Sequence, residues 1–201
     1  MTATALPQLA VPRTLHDRPA GPRPPAWWGM LCLVATEAAL FAVLLFSYFF
    51  IGAHASVWPP DGPRPLTLTG INTIVLLTSS LTMWWATSGI EAGRVGRLRA
   101  GLALTLVLGI AFACVQSVEW AHLPFSPATH SYGSLFYTIT GFHGAHVIVG
   151  LLMIAVVLLR ALLGHFSANR CLAVRLTAIY WHFVDVVWLF VFTTLYLSPR
   201  F

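Results

Sequence analysis

The chain has 201 residues, of which 58% are hydrophobic and 8% are charged. Ordinary soluble domains contain roughly 45–50% apolar and about 25% charged residues, so this composition excludes a soluble globular domain and predicts an integral membrane protein. The net charge of +5 comes from eleven arginines against six acidic residues. Because the arginines form no dense basic run with interleaved aromatic residues, nucleic-acid binding is also excluded.

Residues 1–25 are rich in proline and arginine and form the first distinct segment. A secretory signal peptide needs an apolar core of about 7–15 residues, which this segment lacks. The sequence therefore predicts a disordered tail instead of a cleavable leader.

Five apolar runs follow the tail, and each is close to the ~20 residues that a membrane-spanning helix needs. They lie at about 26–51, 66–88, 98–120, 134–159 and 173–197. Segments this apolar must pair their backbone polar groups internally when they lie in lipid, and a helix does so. The sequence predicts an all-α fold in which residues 26–201 form one integral membrane bundle of five transmembrane helices.

The distribution of arginines predicts the orientation of this bundle. Nine arginines lie in the tail and in the second and fourth loops, namely Arg13, Arg18, Arg23, Arg94, Arg97, Arg99, Arg160, Arg170 and Arg175. The opposite side has two, Arg64 and Arg200. Since basic loops stay in the cytoplasm, we expect the N-terminus and its tail there and the C-terminus outside.

Several ionisable residues lie inside the apolar runs, where a charge is costly and usually serves a purpose. Counting depth at about 1.5 Å per residue places five of them within a turn or two of the bilayer midplane. They are Glu37 in the first helix, His143 and His146 in the fourth, and His182 and Asp185 in the fifth. We expect them to form a buried polar layer between these three helices. Gln116 and Glu119 lie near the outer end of the third helix, and an interfacial position is predicted for them.

The residue types leave three interpretations of the buried polar layer open. In the first, the side chains fasten the helices through interhelical hydrogen bonds. In the second they relay protons, as in a small proton channel or transporter. In the third, the pair His143 and His146 and the pair His182 and Asp185 bind a metal, as in a membrane metalloenzyme, although the chain does not repeat the Glu-x-x-His motif of a di-iron bundle. A haem-copper catalytic core is excluded because five short helices carry too few midplane histidines.

Several motifs occur in an order typical of one protein family. They are Ala35-Thr36-Glu37, Trp58-Pro59-Pro60, Ile71-Asn72-Thr73, Gln116 with Glu119, Thr140-Gly141-Phe142-His143-Gly144, and the stretch from Tyr180 to Phe190. Over about residues 27–197 the chain resembles subunit III of the haem-copper respiratory oxidases, cytochrome c oxidase in particular. The resemblance is to the short five-helix form found in bacteria, which lacks the first two helices of seven-helix members.

The resemblance implies a non-redox subunit that has no catalytic centre, metal or cofactor of its own. Its partners would be oxidase subunit I, as the main contact, and subunit II, which hold the haem and copper of the complex. The complex as a whole would pass electrons from cytochrome c to O2 and translocate protons. The resemblance further implies that this chain stabilises subunit I, binds structural phospholipid, and supports proton uptake and sustained turnover.

Residue by residue, Glu37 matches the family's membrane-embedded, carbodiimide-reactive glutamate. The arginines of the second loop, Arg94, Arg97 and Arg99, are candidates for contacts with lipid headgroups. A bacterial plasma membrane is the expected location. The resemblance leaves open subunit III of a quinol oxidase or of a related nitric oxide reductase complex, since the electron donor docks on other subunits.

Overall fold

The computed structural model describes residues 23–60, 62 and 65–200. They form five long helices: α1 (Pro25–Ala53), α2 (Leu66–Glu91), α3 (Val95–Ala121), α4 (Ser131–Leu162) and α5 (Leu172–Phe192). A π-helical turn, Thr193–Leu197, and a short 3-10 turn, Ser198–Arg200, follow α5. All five helices are long and apolar enough to cross a membrane, which confirms the predicted all-α fold. The predicted orientation of the termini stays a prediction.

Helix α1 begins at Pro25, inside the segment predicted to be a tail. Proline suits the first position of a helix because its missing N–H would have no intrahelical partner there. Residues 1–22 of the predicted tail lie outside the described residues.

Helices α2 and α3 form the closest pair in the bundle. Only three residues connect them, and Gly93 takes the positive φ of 72° that this tight reversal requires. A methyl group placed on Gly101 of α3 would lie 2.6 Å from Cβ of Ala86 on α2, so the two backbones touch at a position where a side chain does not fit. Small residues therefore set this contact, as is common in membrane bundles.

Helices α1 and α5 lie at opposite extremes of burial. Of the residues in the most apolar 18-residue stretch of α1, 6% are buried. In the corresponding stretch of the span Leu172–Leu197, which contains α5, 50% are buried. Helix α1 contacts α4 and α5, while α5 also packs against α2. Helix α5 therefore lies at the centre of the bundle, and α1 lies at its edge.

The indole of Trp181 on α5 contacts three other helices. A methyl group on Gly109 of α3 would lie 2.7 Å from this ring, and one on Gly150 of α4 would lie 2.8 Å from it. The indole Nε1 donates a hydrogen bond to Ser79 Oγ on α2 at 3.0 Å. One fully buried side chain thus fastens four helices.

Candidate functional site

Glu37 and His146 are in contact near the middle of α1 and α4. The carboxylate Oε2 of Glu37 lies 3.1 Å from Nε2 of His146. Their side chains keep 28% and 13% of their surface exposed, so the pair lies at the edge of the bundle. Phe41, one turn along α1, packs its ring edge against His146 at 5.1 Å between centroids. This contact joins the peripheral helix α1 to the core.

The hydrogen bonds of His146 fix where its protons are. Nδ1 lies 2.7 Å from the carbonyl oxygen of Phe142, and a carbonyl oxygen only accepts, so Nδ1 carries a proton. Nε2 of a neutral imidazole then has a lone pair, which would repel an ionised carboxylate. The contact with Glu37 therefore holds one proton, either on the carboxyl oxygen or on Nε2. In both cases the pair is neutral overall, which lowers the cost of placing it in lipid.

His143 lies one turn from His146 on α4 and is 1% exposed. Its ring packs against those of Trp188 on α5, at 4.9 Å between centroids, and Phe112 on α3, at 6.0 Å. Neither of its ring nitrogens forms a hydrogen bond with another described residue. Such a group costs about 1–3 kcal/mol when nothing pairs with it.

His182 and Asp185 face α2, whereas we expected them to face α1 and α4. Nδ1 of His182 lies 2.6 Å from Ser80 Oγ, so the hydrogen-bond partner comes from α2 instead of α1 or α4. Asp185 is 3% exposed, and its carboxyl oxygens form no hydrogen bond within the described chain, although the Ser80 hydroxyl lies close enough to interact with them. The expected single layer is thus divided, with Glu37 and His146 on one side of α5 and these two residues facing α2.

Glu119 lies in the last turn of α3 and joins three helices. Its Oε1 accepts hydrogen bonds from Thr69 Oγ1 on α2, at 3.1 Å, and from the Tyr196 hydroxyl beyond α5, at 2.8 Å. Gln116, one turn deeper, is 7% exposed and interacts with the Tyr196 hydroxyl, although neither of its polar atoms has full hydrogen-bond geometry within the described chain. Glu119 thus closes the end of the bundle at which α3 finishes.

Two interhelical hydrogen bonds of α2 were not visible in the sequence. Trp181 bonds to Ser79, as described above, and Trp188 Nε1 donates to Thr73 Oγ1 at 3.0 Å. The hydroxyls of both partners also donate to carbonyl oxygens of their own helix. Serine and threonine in a membrane helix commonly bond to their own backbone, so the pattern alone did not indicate which of them also accept from a neighbour.

The three arginines predicted to contact lipid headgroups have different surroundings. Arg94 is exposed. The guanidinium of Arg97 lies over the ring of Trp85 at 5.1 Å, and Nε of Arg99 donates to the carbonyl of Ala161 at 3.0 Å. The guanidinium groups of Arg94 and Arg97 form no ion pair with a carboxylate of the described residues.

The two residue pairs considered as metal ligands, His143 with His146 and His182 with Asp185, do not converge. Nowhere in residues 23–60, 62 and 65–200 do three or more His, Cys, Asp or Glu side chains group in a way that could hold a metal ion. The reason is geometric, because His146 turns to α1 whereas His182 turns to α2.

The family model described as cytochrome c oxidase subunit III matches residues 25–199 of the chain. The chain belongs to this family. The cytochrome c oxidase subunit 3 of Drosophila yakuba is 38% identical over 177 residues, which cover 84% of this chain and 68% of that protein. That of Prototheca wickerhamii is 41% identical over 181 residues with the same coverage, and that of Danio rerio is 37% identical over 181 residues, again covering 84% and 68%.

Membership in the subunit III family confirms the resemblance found in the sequence. The matched segment contains all five helices, so the Glu37–His146 contact and the Trp181 packing both lie within the part of the chain that the family shares. The chain is therefore a membrane-spanning subunit III of the haem-copper oxidase type.

Proposed function

We propose that this chain is a non-redox subunit of a haem-copper terminal oxidase that oxidises cytochrome c, reduces O2 and translocates protons. In that complex it packs against subunit I, which it stabilises, and lies beside subunit II. The family match over residues 25–199 supports this assignment. The haem and copper belong to the partner subunits.

The observation that carries a functional role is the Glu37–His146 contact. A neutral pair that holds one proton near the middle of a membrane bundle is suited to accept and return that proton without leaving a bare charge in lipid. Its partial exposure leaves it open to a neighbouring subunit or to lipid. We infer that the pair supports proton uptake and sustained turnover of the complex.

A quinol oxidase and a nitric oxide reductase complex are the alternative assemblies. The relatives named above are all cytochrome c oxidase subunits, which favours cytochrome c as the donor. Purification of the tagged chain in mild detergent should recover haem- and copper-containing subunits, with the spectrum of a mixed-valence dicopper centre. Recovery of the chain alone would contradict the assignment, and a haem-copper complex without the dicopper signal would indicate a quinol oxidase.

We further propose that the bundle lies in a bacterial plasma membrane with its tail in the cytoplasm, as the arginine distribution suggests. Arg94, which is exposed, and Arg97, which is half-buried, would then lie near the headgroups of the inner leaflet, where a guanidinium binds phosphate. A protease-sensitive tag on each terminus of the chain in intact cells tests this orientation. Cleavage of the N-terminal tag from outside would contradict it.

A further inference from the structure

Tyr180 of α5 lies beside the Glu37–His146 pair. Its ring is nearly parallel to the imidazole of His146, with 15° between the planes and 6.5 Å between the centroids. Phe41 of α1 contacts the same imidazole edge-on. Tyr180 is 4% exposed, so its side chain is enclosed by the protein. Three helices thus each bring one side chain to this place, namely Glu37 from α1, His146 from α4 and Tyr180 from α5.

The hydroxyl of Tyr180 is held weakly and lies near Glu37. It donates to the backbone carbonyl of His146 at 3.4 Å, which is longer than the ~2.7–2.8 Å typical of an O–H donor. This carbonyl is in the interior of α4, where it also accepts from the N–H four residues further along. The same hydroxyl is within electrostatic reach of the Glu37 carboxyl group. Because a hydroxyl rotates, its hydrogen can turn from a weak acceptor to a stronger one.

We propose that Tyr180 is a third member of the proton-holding site, whose hydroxyl donates to Glu37 when the pair gives up its proton. The proposal rests on the proposed function, in which the pair accepts and returns a proton. Once that proton leaves, the carboxylate faces the lone pair of His146 Nε2, which offers no donor. A hydrogen bond to a carboxylate is stronger than one to a neutral carbonyl, so the Tyr180 hydroxyl turns to Glu37 and keeps its own proton. Tyr180 thereby eases proton loss from the pair.

The other ionisable groups of the helices packed against α1 point elsewhere. These helices are α4 and α5. Among the described residues, their ionisable side chains near the level of Glu37 are His143 and His146 on α4 and Tyr180, His182 and Asp185 on α5. His143 packs among aromatic rings, and the last two face α2. The groups that adjust the proton affinity of Glu37 are therefore His146 and Tyr180.

Carbodiimide labelling of Glu37 tests the proposal, because a carbodiimide adds to a carboxyl group that carries its proton and not to a carboxylate. The Glu37 side chain is 28% exposed at the edge of the bundle, where an apolar carbodiimide dissolved in lipid reaches it. The intact complex is labelled briefly in native membranes over a range of pH. Mass spectrometry then gives the modified fraction of Glu37 at each pH, and Glu37→Gln gives the blank.

For Tyr180→Phe we expect the midpoint of this labelling profile to lie at least about one pH unit above that of the native chain. The carboxylate loses a hydrogen-bond donor, so Glu37 keeps its proton to higher pH, while the phenyl ring preserves the packing. Tyr137→Phe is the matched control. It also removes a hydroxyl that donates to a backbone carbonyl, that of Phe125 at 3.2 Å, but more than two helical turns from His146. The control should follow the native profile.

Placing 3-fluorotyrosine at position 180 gives a second, opposite test. Fluorine makes the phenol a stronger donor, so the midpoint should move below the native value. Loss of packing would not shift the profile in opposite directions in the two variants. If Tyr180→Phe does not assemble, the fluorinated chain decides the question by itself, since an unchanged or higher midpoint would overturn the proposal.

Two kinds of failure can be told apart. A native midpoint in Tyr180→Phe, or a shift of both variants in the same direction, would overturn the role of Tyr180 and leave the proposed function of the pair intact. Labelling of native Glu37 that does not depend on pH would show that the pair does not release its proton. The proposed proton exchange would then fail, and the role of Tyr180 with it.

Discussion

Replacing Glu37 by glutamine keeps a hydrogen bond to His146 but removes the exchangeable proton that the Glu37–His146 pair holds. A glutamine has the same length as glutamate, and its amide nitrogen donates to the lone pair of His146 Nε2 at the position where Glu37 Oε2 now lies, 3.1 Å away. Nδ1 of His146 keeps its bond to the Phe142 carbonyl. The variant therefore retains the contact between α1 and α4 and loses the exchangeable proton.

The size of the effect on stability follows from the single contact involved. Hydrogen bonds between membrane helices contribute about 0.6 kcal/mol on average and about 1.7 kcal/mol at most. Glu37→Gln keeps this bond, so we expect its stability to lie within about 0.5 kcal/mol of the native chain. Glu37→Leu removes the bond and leaves Nε2 of His146 unpaired, which should cost about 1–2 kcal/mol.

The measurement is the activity of the purified complex during continuous turnover, together with its thermal stability. For Glu37→Gln we expect a normal initial rate followed by faster inactivation, because no proton is available at the pair. Glu91→Gln is the matched control, since Glu91 lies at the end of α2 in an exposed ion pair with Arg175. This control should follow the native time course, because exposed pairs contribute little.

Two results would refute this reasoning. An unchanged time course for Glu37→Gln would remove the role in sustained turnover. A loss of stability in Glu37→Gln as large as that in Glu37→Leu would show that an amide does not replace the carboxyl group, and the one-proton description of the pair would be wrong.

Three further substitutions test the packing of α5. Gly150→Ala should destabilise the chain by about 1–3 kcal/mol, because its methyl group would overlap the Trp181 ring. Gly144→Ala on the same helix should cause no such loss, since a methyl group there meets no atom within 4 Å. Equal thermal stability of the two variants would contradict this. Trp188→Phe removes a buried interhelical hydrogen bond and should lower the melting temperature of the solubilised complex, with a cost of about 1 kcal/mol. Asp185→Asn should match or exceed native stability, since the carboxyl group has no hydrogen bond within the described chain; a clear loss would reveal a partner that the isolated chain does not contain.

The local features of the chain could be predicted from the sequence because each depends on neighbours along the chain. The five spans follow from apolar length alone, since lipid forces the backbone into helices whatever the side chains do. The depth of Glu37 and His146 in the membrane is also predicted from the sequence, because depth is obtained by counting residues along a helix axis. The spacing of seven residues between Trp181 and Trp188 indicates that both lie on one face of α5, and both are fully buried in the protein.

The partners of these residues could not be predicted, because depth does not fix the direction in which a side chain points around the bundle. The sequence predicts one depth for His143, His146, His182 and Asp185, yet His146 bonds to α1 whereas His182 bonds to α2. The division separates the side chains that the metal interpretation would bring together. It also leaves His143 packed among aromatic rings.

The sequence by itself determined the class of the protein, the number of its helices and its family, since composition, apolar length and motif order are read along one chain. Only the tertiary structure decided that Glu37 contacts His146 and that Trp181 packs against or bonds to three other helices. The physical reason is that these contacts between helices join residues more than thirty positions apart. Their geometry depends on how each helix is rotated, and small residues such as Gly109 and Gly150 set that rotation by admitting a large ring.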